Sequence, residues 1–264
     1  MEIMERRHRI GTVNFLAKYI GWKALLLGRD PTVTDRLKWL KHHLKPGNFR
    51  TLDVGCASGY FTFYAAKIGN QSVGIDIDER GNRKAKRLAQ ILGLYKTYFL
   101  LLDIRILDRF VEQLGKFDQI ICFETIEHIR NGRKLLKDLS CLLKPGGKLL
   151  LTAPFKFHKP INSDTLSEVE DGGHMRWGYT HDELQSMFRE CNIEVATEEY
   201  IGGFILQQLL LITRFLMTHY RVNKKLAWLI VSPFKLFLVL DPFITKLLNY
   251  PYLSVAVTGI KRSN

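Results

Sequence analysis

The sequence predicts an α/β chain built on a seven-stranded, mainly parallel sheet, with a helical hydrophobic insertion between the last two strands. Three observations carry this. Between residues 50 and 154 short apolar runs alternate with helical patterns, as parallel strands joined by crossover helices do. The run Lys144-Pro145-Gly146-Gly147 stops a helix and turns the chain toward a further strand. Near the C-terminus two strand patterns are separated by about fifty residues, Gly202 to Pro251, dominated by Leu, Ile, Phe and Trp, where connections of a few residues are usual.

Taken in order, the apolar runs place strands at residues 50–55, 72–76, 98–103, 117–124 and 148–154. Helical spacing fills the intervals at 60–68, 79–92, 104–114 and 133–143. A further helix is expected over 181–191, because Thr180 is a good N-cap and Glu183 completes a capping box. Strands follow at about 193–200 and 253–261. These divide the chain into an N-terminal helical arm (1–45), an α/β domain (46–202 with 251–264) and a hydrophobic helical insertion (203–250).

The 264 residues carry a formal net charge of +13, which favours an anionic partner: nucleic acid, a phospholipid surface or an acidic substrate. Cys56, Cys122, Cys141 and Cys191 are far apart and form no CxxC motif, so a reducing compartment is expected. Glu2, Glu5, Lys18 and Lys23 interrupt the N-terminal stretch, which does not read as a cleavable signal. The expected location is the cytoplasm, with peripheral contact at the inner membrane face.

Leu52-Asp53-Val54-Gly55-Cys56-Ala57-Ser58-Gly59-Tyr60-Phe61 sets a small-residue turn between a strand and a helix, leaving room for a ligand against the main chain. The GxGxxG dinucleotide pattern is incomplete, because Ala57 holds the second glycine position. Some twenty residues on, Val73-Gly74-Ile75-Asp76-Ile77-Asp78 ends a strand on a carboxylate able to accept both hydroxyls of a ribose. Asp103 ends the third strand, and Phe117-Asp118-Gln119-Ile120-Ile121 and Leu143-Lys144-Pro145-Gly146-Gly147-Lys148-Leu149 follow in order. This series resembles that of the class I, Rossmann-like S-adenosylmethionine-dependent methyltransferases over about residues 50–261. The alternative is an NAD-binding domain or a relative that has lost activity. The resemblance implies that the last two strands pair antiparallel at the sheet edge. It further implies that Asp53, Gly55, Cys56 and Gly59 line the methionine and ribose side, that Asp76 with Ile77 holds the ribose, that Asp103 and Ile104 flank the adenine, and that Glu124 borders the cofactor.

After the fourth strand comes Phe123-Glu124-Thr125-Ile126-Glu127-His128-Ile129. On a helical turn beginning here, Glu124, Glu127 and His128 share one face. The E-x-x-E-H motif is similar to those of quinone-biosynthesis O-methyltransferases and small-RNA 2′-O-methyltransferases. The latter resemblance implies a further histidine, for which His174 stands roughly in place, although this chain has an additional residue in that segment. A divalent metal such as Mg on Glu124, Glu127, His128 and His174 is one reading; a helix cap shaping the pocket floor is the other. Without a metal, His128 or His174 is the candidate general base, and Glu124 is a further candidate catalytic residue.

In the insertion, residues 204–212 and 226–240 are apolar but too interrupted to span a bilayer, and Arg221, Lys224, Lys225, Lys235 and Lys246 face almost no acid. This suits in-plane membrane contact, as does the arm over residues 10–27; a core cap or a dimer interface is the alternative. The expected activity is methyl transfer to a hydroxyl of a small or lipid-linked acceptor. The alternatives are a small-RNA 2′-O-methyltransferase, which the apolar insertion disfavours, and a non-catalytic S-adenosylmethionine-binding subunit.

Overall fold

The computed structural model describes residues 30–158 and 165–263. The expected arm segment at residues 10–27 lies outside them. The chain begins on helix α1 (Pro31–His43), started by the Asp30 carboxylate, which accepts from the Thr32 amide at 2.9 Å, and by Pro31 in the first turn. There follow β1 (Arg50–Val54), α2 (Tyr60–Lys67), β2 (Gln71–Asp76), α3 (Glu79–Ile91) and β3 (Thr97–Leu101). A 3-10 segment (Ile104–Phe110) runs into the short α4 (Val111–Leu114), then β4 (Phe117–Phe123), a 3-10 turn (Ile126–His128), α5 (Gly132–Leu142) and β5 (Leu143–Pro154). The chain closes with α6 (His181–Glu190), β6 (Ile193–Ile201), the insertion helices α7 (Phe204–His219), α8 (Lys224–Val231), a 3-10 segment (Ser232–Val239) and α9 (Asp241–Leu247), and β7 (Ser254–Lys261).

The seven strands lie in the order β3-β2-β1-β4-β5-β7-β6. The first five are parallel, and β7 runs antiparallel between β5 and β6, pairing Val257 with both Leu151 and Glu198. The ends of β1, β2 and β4 that carry the turns expected to hold a ligand therefore share one edge, where open α/β sheets bind ligands. Alternating residues of β4 serve opposite layers: Ile120 and Cys122 pack with α5 and α6, Ile121 and Phe123 with α1, α2 and α3.

The expected strand over 98–103 is Thr97–Leu101, so Asp103 caps the next segment instead of ending the strand. The expected helix over 104–114 is broken at Ile106, whose φ/ψ leave the helical region. The Lys144–Gly147 stretch forms a bulge, because Leu143 opposes Phe117 while Lys148 opposes Gln119. The Thr180 capping box forms as expected.

The insertion returns to its own root. Gly203 and Ile205 donate backbone N–H groups to the Asp241 carboxylate at 3.1 and 2.6 Å, and Phe204 donates to Thr245 Oγ1 at 2.8 Å, so α9 supplies the missing cap of α7. Gln207 ties Gly202 to Pro251 through its side-chain amide. Inside, Leu206, Leu209, Leu210, Trp228 and Val231 form a small core apart from the two that cover the sheet.

Candidate functional site

At the C-terminal edge of the sheet a cavity of about 240 Å³ is lined by Gly55, Asp76, Ile77, Leu102, Asp103, Ile104, Arg105, Glu124, Thr125, His128, Ile129, Glu170 and Gly172. Seven residues singled out in the sequence thus meet in one place: Gly55, Asp76, Ile77, Asp103, Ile104, Glu124 and His128.

One end is built by the turn after β1. Gly55 has φ +71°, and a Cβ there would lie 2.4 Å from Thr125 Oγ1, so glycine is required for both conformation and space. The Asp76 carboxylate accepts from the amides of Ala57 at 2.7 Å and Asp78 at 2.8 Å, pinning the turn while each oxygen keeps a second acceptor site. Asp103 receives a fork from Arg105 Nε and Nη2; this pair holds its carboxyl below the usual carboxylate range. Arg105 also reaches Glu170 at 3.5 Å. Ile77, Leu102, Ile104 and Ile129 supply apolar lining between these charges.

Three expected cofactor residues stand behind the wall. Asp53 is 2% exposed and accepts from Thr62 Oγ1 at 2.6 Å; burial pushes its carboxyl up to about 7. Cys56 is buried against Gly74, and Gly59 opens α2 in the left-handed region beneath Phe99. All three shape the turn without facing the cavity.

The other end differs from the helical turn expected at Glu124. The chain forms a 3-10 turn only from Ile126, and Glu124 precedes it with φ +45°, a conformation costing a non-glycine residue about 1 kcal/mol or more. Its Oε2 is thereby held 3.0 Å from Arg36 of α1, a partner with no local sequence signal, and its Oε1 is buried without a partner. Glu127 is fully buried with neither oxygen hydrogen-bonded, its Oε1 lying 3.7 Å from His128 Nε2, and burial, then the Glu124 charge, drives its carboxyl well above the usual range. His128 Nδ1 donates to the Gly173 carbonyl at 3.0 Å, which leaves Nε2 as the acceptor nitrogen. His174 stacks edge-on to His128 with ring centroids 4.8 Å apart; its Nδ1 is buried and unpartnered, and burial, then His128, lowers its basicity. Ligand atoms of Glu127, His128 and His174 lie within 4.8 Å of one another, so the structure assembles three of the four expected metal ligands and hands the fourth to Arg36. Arg36, Arg105, Thr125 and Glu170 were not singled out in the sequence.

Comparison with known proteins agrees with this architecture. A model of the methyltransferase domain family matches residues 12–198. The ubiquinone biosynthesis O-methyltransferase of Xanthomonas axonopodis pv. citri is 33% identical over 121 residues, covering 44% of this chain and 48% of that protein. The chain therefore spans about half the length of the curated relatives it matches. Magnesium protoporphyrin IX methyltransferase from Synechocystis, solved with bound S-adenosylmethionine, superposes with a TM-score of 0.52 at 18% identity, covering 98% of this chain and 91% of that one. A [4+2]-cyclase superposes with a TM-score of 0.57 at 18% identity, covering 88% and 82%. At these identities the likeness is one of fold, and the cyclase shows that the fold alone leaves the reaction open.

Proposed function

The chain belongs to the methyltransferase-domain family, and from that premise we propose that it transfers the methyl group of S-adenosylmethionine to a hydroxyl oxygen of a small, largely apolar acceptor. One observation carries the reading. The same cavity joins two carboxylates suited to a nucleoside, Asp76 and Asp103, to a histidine whose Nδ1–H is already committed, His128. The residues fit the cofactor: Asp76 would hold the ribose, and Ile77, Leu102 and Ile104 the flat base, with the Gly55 turn against the remainder. When bound, the cofactor supplies a methyl group on a sulfonium already activated for displacement.

The acceptor oxygen must lose a proton before or as it attacks. His128 Nε2 takes that proton, because the Gly173 carbonyl holds the ring through Nδ1–H and leaves Nε2 free to accept it. Arg36 neutralises Glu124 beside it, so the site presents no uncompensated carboxylate at that wall to a neutral acceptor. The resemblance to ubiquinone biosynthesis O-methyltransferases supports a phenolic or lipid-linked hydroxyl.

The buried oxygens of Glu127, which carry no hydrogen bond, favour a second reading, in which Glu127, His128 and His174 would hold a divalent cation, which when bound would lower the pKa of an acceptor hydroxyl. Their 4.8 Å spread is wider than the span of about 4.2 Å between opposite ligands of Mg²⁺, so they fit after a small closure. The test is methyl transfer from radiolabelled cofactor to a panel of phenols and prenylated phenols, with and without chelator. Label in the organic phase that survives chelation and disappears in His128→Asn supports the base; loss on chelation supports the cation. Binding of S-adenosylhomocysteine without label in any acceptor would refute methyl transfer to this class.

A further inference from the structure

Most of the insertion's apolar surface is not used by its own small core. Leu236 is 81% exposed, Val239 73%, Leu247 71%, Phe243 69%, Leu229 59% and Phe237 54%, all on the consecutive segments α8, Ser232–Val239 and α9. Contiguous apolar patches on soluble monomers rarely exceed about 300–600 Å², and six bulky side chains more than half exposed within nineteen residues of chain call for a partner.

The charge on the same segment has one sign. Residues 203–249 contain Arg214, Arg221, Lys224, Lys225, Lys235 and Lys246 but a single acid, Asp241. Asp241 is 5% exposed and spends both oxygens on the backbone of α7, so it offsets nothing at the surface. A face both apolar and cationic repels a second copy of itself and complements an anionic one. Among the described residues no single helix is long and apolar enough to cross a membrane, and the apolar run bends by 72° between Leu226–Val239 and Asp241–Leu247. Short, bent, apolar helices rimmed by cations suit the plane of the head-group region.

We propose that Gly203–Asn249 is a docking surface for an anionic phospholipid bilayer, lying in the interface with Leu236, Val239, Phe243 and Leu247 in the acyl boundary. This holds whether or not the acceptor reading is right, since it concerns the surface alone. Its link to the site is structural. Leu238 and Pro242 of the insertion line a second cavity of about 210 Å³ with Trp39, Tyr200 and Tyr252, and Trp39 packs edge-on against Phe123, the neighbour of Glu124.

The full chain is spun with vesicles of phosphatidylcholine alone and of phosphatidylcholine with an equal part of phosphatidylglycerol. The expected result is pelleting with the anionic vesicles, weakened about tenfold or more when salt is raised, because surface cations contribute much of the attraction. The variant Leu236→Glu/Val239→Glu/Phe243→Glu changes only exposed positions and should keep its affinity for S-adenosylhomocysteine while losing the pelleting. A wild-type chain that stays in the supernatant with every vesicle overturns the proposal. So does a triple variant that binds cofactor and pellets unchanged, or a wild-type dimer that the triple variant converts to monomer, which would make the surface a contact between copies.

Discussion

The two ends of the cavity are finished to different degrees. At the cofactor end every carboxylate is already engaged: Asp76 by two amides, Asp103 by Arg105, and the buried Asp53 by Thr62. At the end proposed for the acceptor, Glu124 Oε1, both oxygens of Glu127 and Nδ1 of His174 are buried without hydrogen bonds. Unsatisfied buried polar groups each cost about 1–3 kcal/mol, more when charged, so a fold keeps a cluster of them only where something else supplies the partners. On the proposed reading, the contrast separates a preorganised binding surface from a reactive one that a proton, a cation or an acceptor would complete.

The comparison breaks most readily at Gly55. Valine there would bring a Cβ to 2.4 Å from Thr125 and force a β-branched residue to φ +71°, so calorimetry should detect no S-adenosylhomocysteine binding. Retained affinity would show that the turn is not the cofactor surface. His128→Asn should lower turnover about 10²–10⁴-fold, the usual range for a general base, with cofactor affinity unchanged. Equal losses in both would make His128 a structural residue instead. Asp76→Ala should weaken S-adenosylhomocysteine about 10²–10⁴-fold, since two charge-assisted hydrogen bonds of about 1.5–3 kcal/mol each are lost. Circular dichroism should be unaltered.

Two smaller effects sharpen the contrast. Glu127→Gln keeps size and shape, so under the base reading turnover should change less than about threefold, while under the cation reading it should fall at least tenfold with loss of bound metal by elemental analysis. The engaged but buried Asp53 gives the smallest signal. Its carboxyl is raised to about 7 above an ordinary value of 3.8, so the stability it contributes is complete below the ordinary range and declines as pH rises through 7. Thermal melts between pH 5 and 8 should therefore fall in the wild type and flatten in Asp53→Asn. Parallel slopes in the two proteins would show that Asp53 does not carry the dependence.

The resemblance of its motifs to a methyltransferase series pointed to site residues between Asp53 and His128; by itself the sequence determined the seven strands, the capping box at Thr180 and the position of the insertion. Each follows from local rules: period-two and helical patterning, glycine at forced turns, and carboxylates at the ends of parallel strands, which the fold brings to a common edge. Only the tertiary structure decided which of those side chains face the cavity. Asp53 alternates inward along β1 to Thr62, and a left-handed backbone at Glu124 turns it from the expected helical face toward Arg36. The pairing of Asp103 with Arg105 and Glu170, the closing of the Gly172–Met175 loop over Glu127 and His128, and the capping of α7 by Asp241 join residues far apart in the chain. Such contacts have no period and no spacing rule, because they are selected by what each buried polar atom can reach once the backbone is in place.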